Sequence, residues 1–126
     1  MSEVARELYR AVQSGSEGGT VALDGLPLPV TGFYVGGAIK ELVLDHDDFT
    51  ACRTHVVNEL IMFVSRASTP YVGHWTDSET GKIHFDAVNW FQDEYTAAAI
   101  GRVRKEIAIW DVRNERELRL AYVDGE

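Results

Sequence analysis

The stretch from Tyr71 to Val88 constrains this chain most: two runs rich in aromatic and β-branched residues flank Asp77-Ser-Glu-Thr-Gly81. Asp at the start of such a loop can bond its own backbone, and Gly at its end can take a positive φ, so the composition predicts a β-hairpin. With a loop of Ser78 to Gly81, Asp77 falls opposite Lys82, Trp75 opposite His84 and Gly73 opposite Asp86. Opposed residues share a face. One face then carries Val72, Ile83, Phe85 and Ala87 and reads as core, while the other shows Tyr71, Trp75, His84, Asp86 and Trp90. His74 points away from that second face in this register. A loop one residue different would instead bring His74 beside His84.

The elements around the hairpin follow from periodicity and punctuation. Ser2 can cap a first helix with Val4, Leu8 and Val12 on one side, ended by Gly15. The Gly- and Ser-rich stretch from Gly15 to Thr20 reads as a flexible connection to a short strand at Val21 to Leu23. Pro27 and Pro29 make Asp24 to Val30 a turn or an edge, because proline has no ladder donor. Gly32 to Asp45 favours strand, with a break or bulge at Gly36 and Gly37. Those glycines could also bring a ligand close to the backbone, but they do not sit between a strand and a helix as a phosphate loop requires.

A long helix is expected from Asp48 to Ala67, with Phe49, Cys52, Val56, Leu60 and Phe63 as its apolar stripe and Asp47 or Asp48 as its cap. A last helix spans Asp93 to Lys105, turning Ala99, Ile100 and Val103 inward. Its end carries Arg102, Arg104 and Lys105, where the helix dipole favours cations. Ile107 to Val112 and Leu118 to Val123 form a second hairpin around Arg113-Asn-Glu-Arg116. The expected fold is therefore α+β in a single domain over residues 1–126: about three helices against a mainly antiparallel sheet of five or six strands, in the order α-β-β-α-β-β-α-β-β.

Charge and cysteine content narrow the function. Twelve Lys and Arg face 20 Asp and Glu, a formal charge of −8. No basic stripe exists beyond Arg102, Arg104 and Lys105, so direct binding to nucleic acid is not expected. An acidic surface suits a basic protein partner, or simply solubility. One cysteine, Cys52, allows no internal disulfide, and the acidic N-terminal residues lack the order of a signal peptide. No segment is long and apolar enough to span a bilayer, and a cytoplasmic location is expected.

Candidate chemistry centres on the hairpin. His84 with Asp86 offers an imidazole and a carboxylate for acid–base work or metal binding, but no third ligand is fixed by the sequence, and no catalytic residue, metal or cofactor is assigned. Tyr71, Trp75 and Trp90 form either an aromatic anchor for a partner or part of the core. Trp110 reads as core or as a contact to a neighbouring strand. Asp45-His-Asp-Asp48 lacks the glycine and terminal glutamate of a calcium loop. Arg53 beside the helix stripe is a weak anion-binding candidate and otherwise one half of an ion pair. Cys52, on the same stripe, reads as a small buried hydrophobe.

The segments Trp75-Thr-Asp-Ser-Glu-Thr-Gly-Lys82 and Glu106-Ile-Ala-Ile-Trp-Asp-Val112 resemble a pattern in small uncharacterised proteins of actinobacteria and their bacteriophages. The resemblance covers about half the chain and brings no active site. It implies a phage or host accessory protein that binds another protein. The favoured expectation is a non-enzymatic interaction module working through the aromatic hairpin face or an exposed strand edge, with a homodimer allowed by edge pairing. The alternatives are a small-molecule enzyme or ligand sensor built on His84, Asp86 and Arg53, and a structural or assembly component.

Overall fold

The computed structural model describes residues 3–15 and 17–122. Among them, four α-helices and seven strands run in the order α1 (Glu3–Gln13), β1 (Gly18–Ala22), β2 (Phe33–Val35), β3 (Leu42–Asp45), α2 (Asp48–Ala51), α3 (Arg53–Ala67), β4 (Tyr71–Thr76), β5 (Lys82–Phe91), α4 (Glu94–Val103), β6 (Ala108–Asp111) and β7 (Arg116–Arg119). Every strand pairing is antiparallel. This is the expected α+β fold, with one strand and one helix more than the sequence pattern implied. The proposed Ser2 cap and the end of the last expected strand, Val123, lie outside the described residues.

β5 is the spine of the sheet. One edge pairs with β4, and the other pairs first with β3, through Lys82 to Phe85, and then with β2, through Asn89 to Phe91. β2 and β3 are thus one interrupted strand. It breaks at Gly36 and Gly37, where Gly37 takes φ +78° and the chain leaves the edge before returning at Leu42. β1 lies outside β4, and β6 and β7 continue beyond β2, giving the order β1-β4-β5-β2-β6-β7. Gly18 to Thr20 belong to β1 rather than to a flexible connection, because β4 offers them a full ladder: Gly18 opposite Trp75, Gly19 opposite His74, Thr20 opposite Gly73. β7 likewise starts at Arg116, inside the expected turn.

The helices bury one face of this sheet. α1, α2 and α3 close over β1, β4, β5 and β3 with a core of Leu8, Val12, Phe49, Val56, Leu60 and Phe63 against Val72, Ile83, Phe85 and Ala87. Phe49 stacks between Tyr9 and Phe85, at centroid distances of 5.4 and 6.4 Å. A separate small core forms where Ala97 of α4 meets Val35 and Ile109. On α4 the buried positions are Ala97 and Gly101, not Ala99 and Val103, which are exposed. The small residues win because the helix lies close to the sheet: a Cβ on Gly101 would fall 2.7 Å from Leu120 and 3.1 Å from Ile109.

The expected helix from Asp48 to Ala67 is broken at Cys52, which takes φ −132° and ψ 50°. The break rotates the stripe, leaving Cys52 exposed while Val56, Leu60, Phe63 and Ala67 go inside. Neither Asp47 nor Asp48 caps through its side chain; Asp47 supplies its carbonyl to Thr50 and Ala51 instead.

Candidate functional site

The hairpin turn closes in the anticipated register. Asp77 N–H donates to the Lys82 carbonyl at 2.8 Å, the Asp77 side chain accepts from Glu79 N–H at 2.9 Å, and Gly81 takes φ +73°. Trp75 consequently lies opposite His84, Gly73 opposite Asp86, and His74 opposite Phe85 on the core side. The strand alternation then carries Tyr71, Trp75, His84, Asp86 and Trp90 to the face that no helix covers, together with Tyr34 and Trp110, which pair across β2 and β6. Trp75 is 48% exposed and Trp110 40%.

The residues along the middle of this face are small. Gly18, Thr20, Gly73, Gly36 and Ala108 leave its centre unfilled, and the result is a hollow of about 700 Å³ between β1 on one side and β6 and β7 on the other. Aromatic rings stand around it. Trp75 lies flat on His84, with centroids 4.1 Å apart and planes 6° from parallel. Tyr34 and Tyr71 touch at 5.5 Å, and burial, with Tyr71 beside it, pushes the Tyr34 hydroxyl above its usual pKa. Trp90 is half-buried beyond them: its indole N–H donates to the Thr31 carbonyl at 2.7 Å, and Gly32 is bare so that the ring can lie against the backbone.

Two carboxyl groups reach into this hollow. Asp86 accepts from Gly37 N–H at 2.9 Å, and a Cβ on Gly36 would fall 1.9 Å from Asp86 Oδ2 and 3.1 Å from Glu106 Oε1. Both acids therefore crowd around one glycine, which explains why the interruption between β2 and β3 needs that residue type. Burial holds Asp86 above the ordinary carboxylate range, and Glu41 adds to the shift against the Gly37 hydrogen bond. Glu106 is raised as well, by burial first and then by the charge of Asp86, with Arg104 opposing. Arg104 comes near but spends its guanidinium elsewhere, on the carbonyls of Val35 and Gly36 and on the Asn89 side chain, at 3.2, 3.1 and 2.6 Å. Among the described residues neither acid forms an ion pair.

Protein-family models, curated proteins and solved structures offer no match to this chain. The site is therefore read from its own geometry. The structure brings five of the sequence candidates, Tyr71, Trp75, His84, Asp86 and Trp90, to one open face. Arg53 is elsewhere, on the helix side of the sheet, with its guanidinium 5.3 Å over the Tyr9 ring. Its partner is an aromatic face rather than an acid, and it joins no pocket with His84 and Asp86. His84 contacts Glu41 at 3.3 Å. His74 is buried with Nδ1 unpartnered, and burial lowers its pKa.

Sequence reasoning missed Glu106, Tyr34 and the open position of Trp110. Trp110 follows from alternation once Ile109 is known to face α4. Glu106 precedes β6, and no local signal places it opposite Asp86. No group of three or more His, Cys, Asp or Glu among the described residues has the spacing of a metal site, and no helix among them is long and apolar enough to cross a membrane.

Proposed function

We propose that this protein is a non-enzymatic interaction module whose helix-free sheet face receives a positively charged segment of another protein. The observation that carries the reading is the hollow itself: exposed Trp75 and Trp110 flank a depression that contains Asp86 and Glu106, neither of which forms an ion pair among the described residues. Aromatic side chains are the commonest anchors of protein interfaces. Aromatic faces and carboxylates both attract cations, and the net charge of −8 adds long-range attraction for a basic partner. A role as a phage or host accessory protein fits this chemistry, since such proteins act by capturing a partner.

The reading is tested by titrating the isotopically labelled protein with a lysine- and arginine-rich peptide and following the three tryptophan indole N–H signals by NMR. Trp75 and Trp110 should shift and saturate, and Trp75→Ala with Trp110→Ala should weaken binding at least tenfold. Exposed Met62 on α3 provides the control surface. Shifts confined to the helix side, or equal affinity for Met62→Ala and the double tryptophan variant, would rule the face out. Light scattering distinguishes a second copy of the chain as occupant, because a concentration-dependent dimer would bury the same indoles without peptide.

A further inference from the structure

Resting on that reading, we propose that Asp86 and Glu106 together form the receptor for one cationic head group of the partner, an arginine guanidinium or a lysine ammonium, held in the glycine-floored hollow between Trp75 and Trp110. The interaction face thereby acquires a specific subsite.

Three independent features of the molecule converge on it. The hollow is lined by Gly18 and Gly73, which carry no side chain into it, and by Gly36, whose Cβ space is taken up by the two carboxyls. At about 700 Å³ it lies within the range of ligand-binding pockets. The two carboxyls are half-buried beside each other, an arrangement that proteins ordinarily neutralise with a cation. The nearest guanidinium, Arg104, hydrogen-bonds to carbonyl oxygens and forms no ion pair with either acid, and its charge offsets only part of the upward shift that burial gives them. A cation entering from solvent would meet both carboxylates at its charged end while its alkyl stem lay along the indole faces, the arrangement in which cation–π attraction adds to the ion pair.

The charged groups facing the pair favour a cation on balance. Glu41 stands beside Asp86 and holds His84, Glu17 and Glu117 line the rim, His74 borders the hollow from β4, and Arg104 is the base whose charge acts on both acids. In the free protein burial raises the pKa of both carboxyls, and the charge of Asp86 raises Glu106 further, so each holds its proton to higher pH than an exposed carboxyl does. A bound cation favours the ionised carboxyls, so affinity should increase as pH rises through their titration, and protons should be released on binding.

The experiment uses the full chain and a peptide amide carrying a single central arginine flanked by glycines, with its citrulline counterpart as the neutral probe. Wild type should bind the arginine peptide and not the citrulline one. Asp86→Asn with Glu106→Gln, which preserves an acceptor for Gly37 N–H, should weaken binding tenfold or more. Glu79→Gln with Glu115→Gln, exposed positions that change net charge equally, should weaken it less than threefold. Calorimetry of wild type in two buffers of different ionisation heat should show proton release at mildly acidic pH, and this measurement stands even if the double variant fails to fold. Equal weakening by both pairs, or no proton release, overturns the subsite while leaving the open face as the docking surface. Failure of every basic peptide to move any indole signal overturns the face as well.

Discussion

Asp86 is the residue at which structure and energetics disagree most usefully. Its carboxyl is held above its unfolded pKa by burial, so the native state binds that proton more tightly than the unfolded chain does. The contribution is harmless below the unfolded carboxyl pKa of about 4 and becomes destabilising as pH rises through the native value. Asp86→Asn should therefore raise the thermal midpoint at neutral pH, with the advantage closing as pH approaches about 4; parallel melting curves would refute the account. His74 behaves with the opposite sign. Its imidazole is held below 6.5 by burial, with Nδ1 unpartnered, so the unfolded chain takes up a proton first and stability falls as pH drops below 6.5 until the native imidazole also protonates. In His74→Phe that acid loss should shrink, as read from melting curves across the same window.

At the scale of elements, glycines set how closely the parts approach. Gly36 admits the Asp86 carboxylate where any Cβ would collide with it. Gly36→Ala must push that carboxylate away and break its bond to Gly37 N–H, at a cost of roughly 1–3 kcal/mol by chemical denaturation. Adding Asp86→Ala to it should recover part of the loss, since the collision is then removed. Gly101 plays the corresponding part on α4, lying against Leu120 and Ile109. Gly101→Leu should lift that helix and destabilise the protein by at least about 1 kcal/mol, despite leucine's better helix propensity of roughly 0.8–1 kcal/mol. The hairpin and its turn were legible at this scale from Asp77 and Gly81, while the choice between two loop lengths, and with it every pair above the turn, was fixed only by the structure. The break at Cys52 was not legible, because an apolar stripe with helical spacing runs straight through it.

Across the whole molecule, the sheet has one face sealed by four helices and another left open. Phe85 lies at the centre of the sealed side, fully buried and stacked against Phe49. Phe85→Ala should cost about 3–5 kcal/mol, the range for emptying a large aromatic site, whereas Trp75→Ala, one strand away on the open face, should change stability by well under half as much. Equilibrium denaturation of the two variants side by side checks this contrast. An equal loss for both would mean that the open face is as much a core as the other.

Local patterns in the sequence determined most element types, the place of the hairpin turn and the alternation that sets His84 and Asp86 on the opposite side of β5 from Phe85, because strand alternation and turn chemistry act between near neighbours. Which of the two faces the helices would cover, the pairing of Gly18 to Thr20 in a ladder, and the meeting of Asp86 with Glu106 were decided only by tertiary structure. Those outcomes depend on pairings between segments far apart in the chain, where closeness follows from how the whole sheet is ordered and not from the residues on either side.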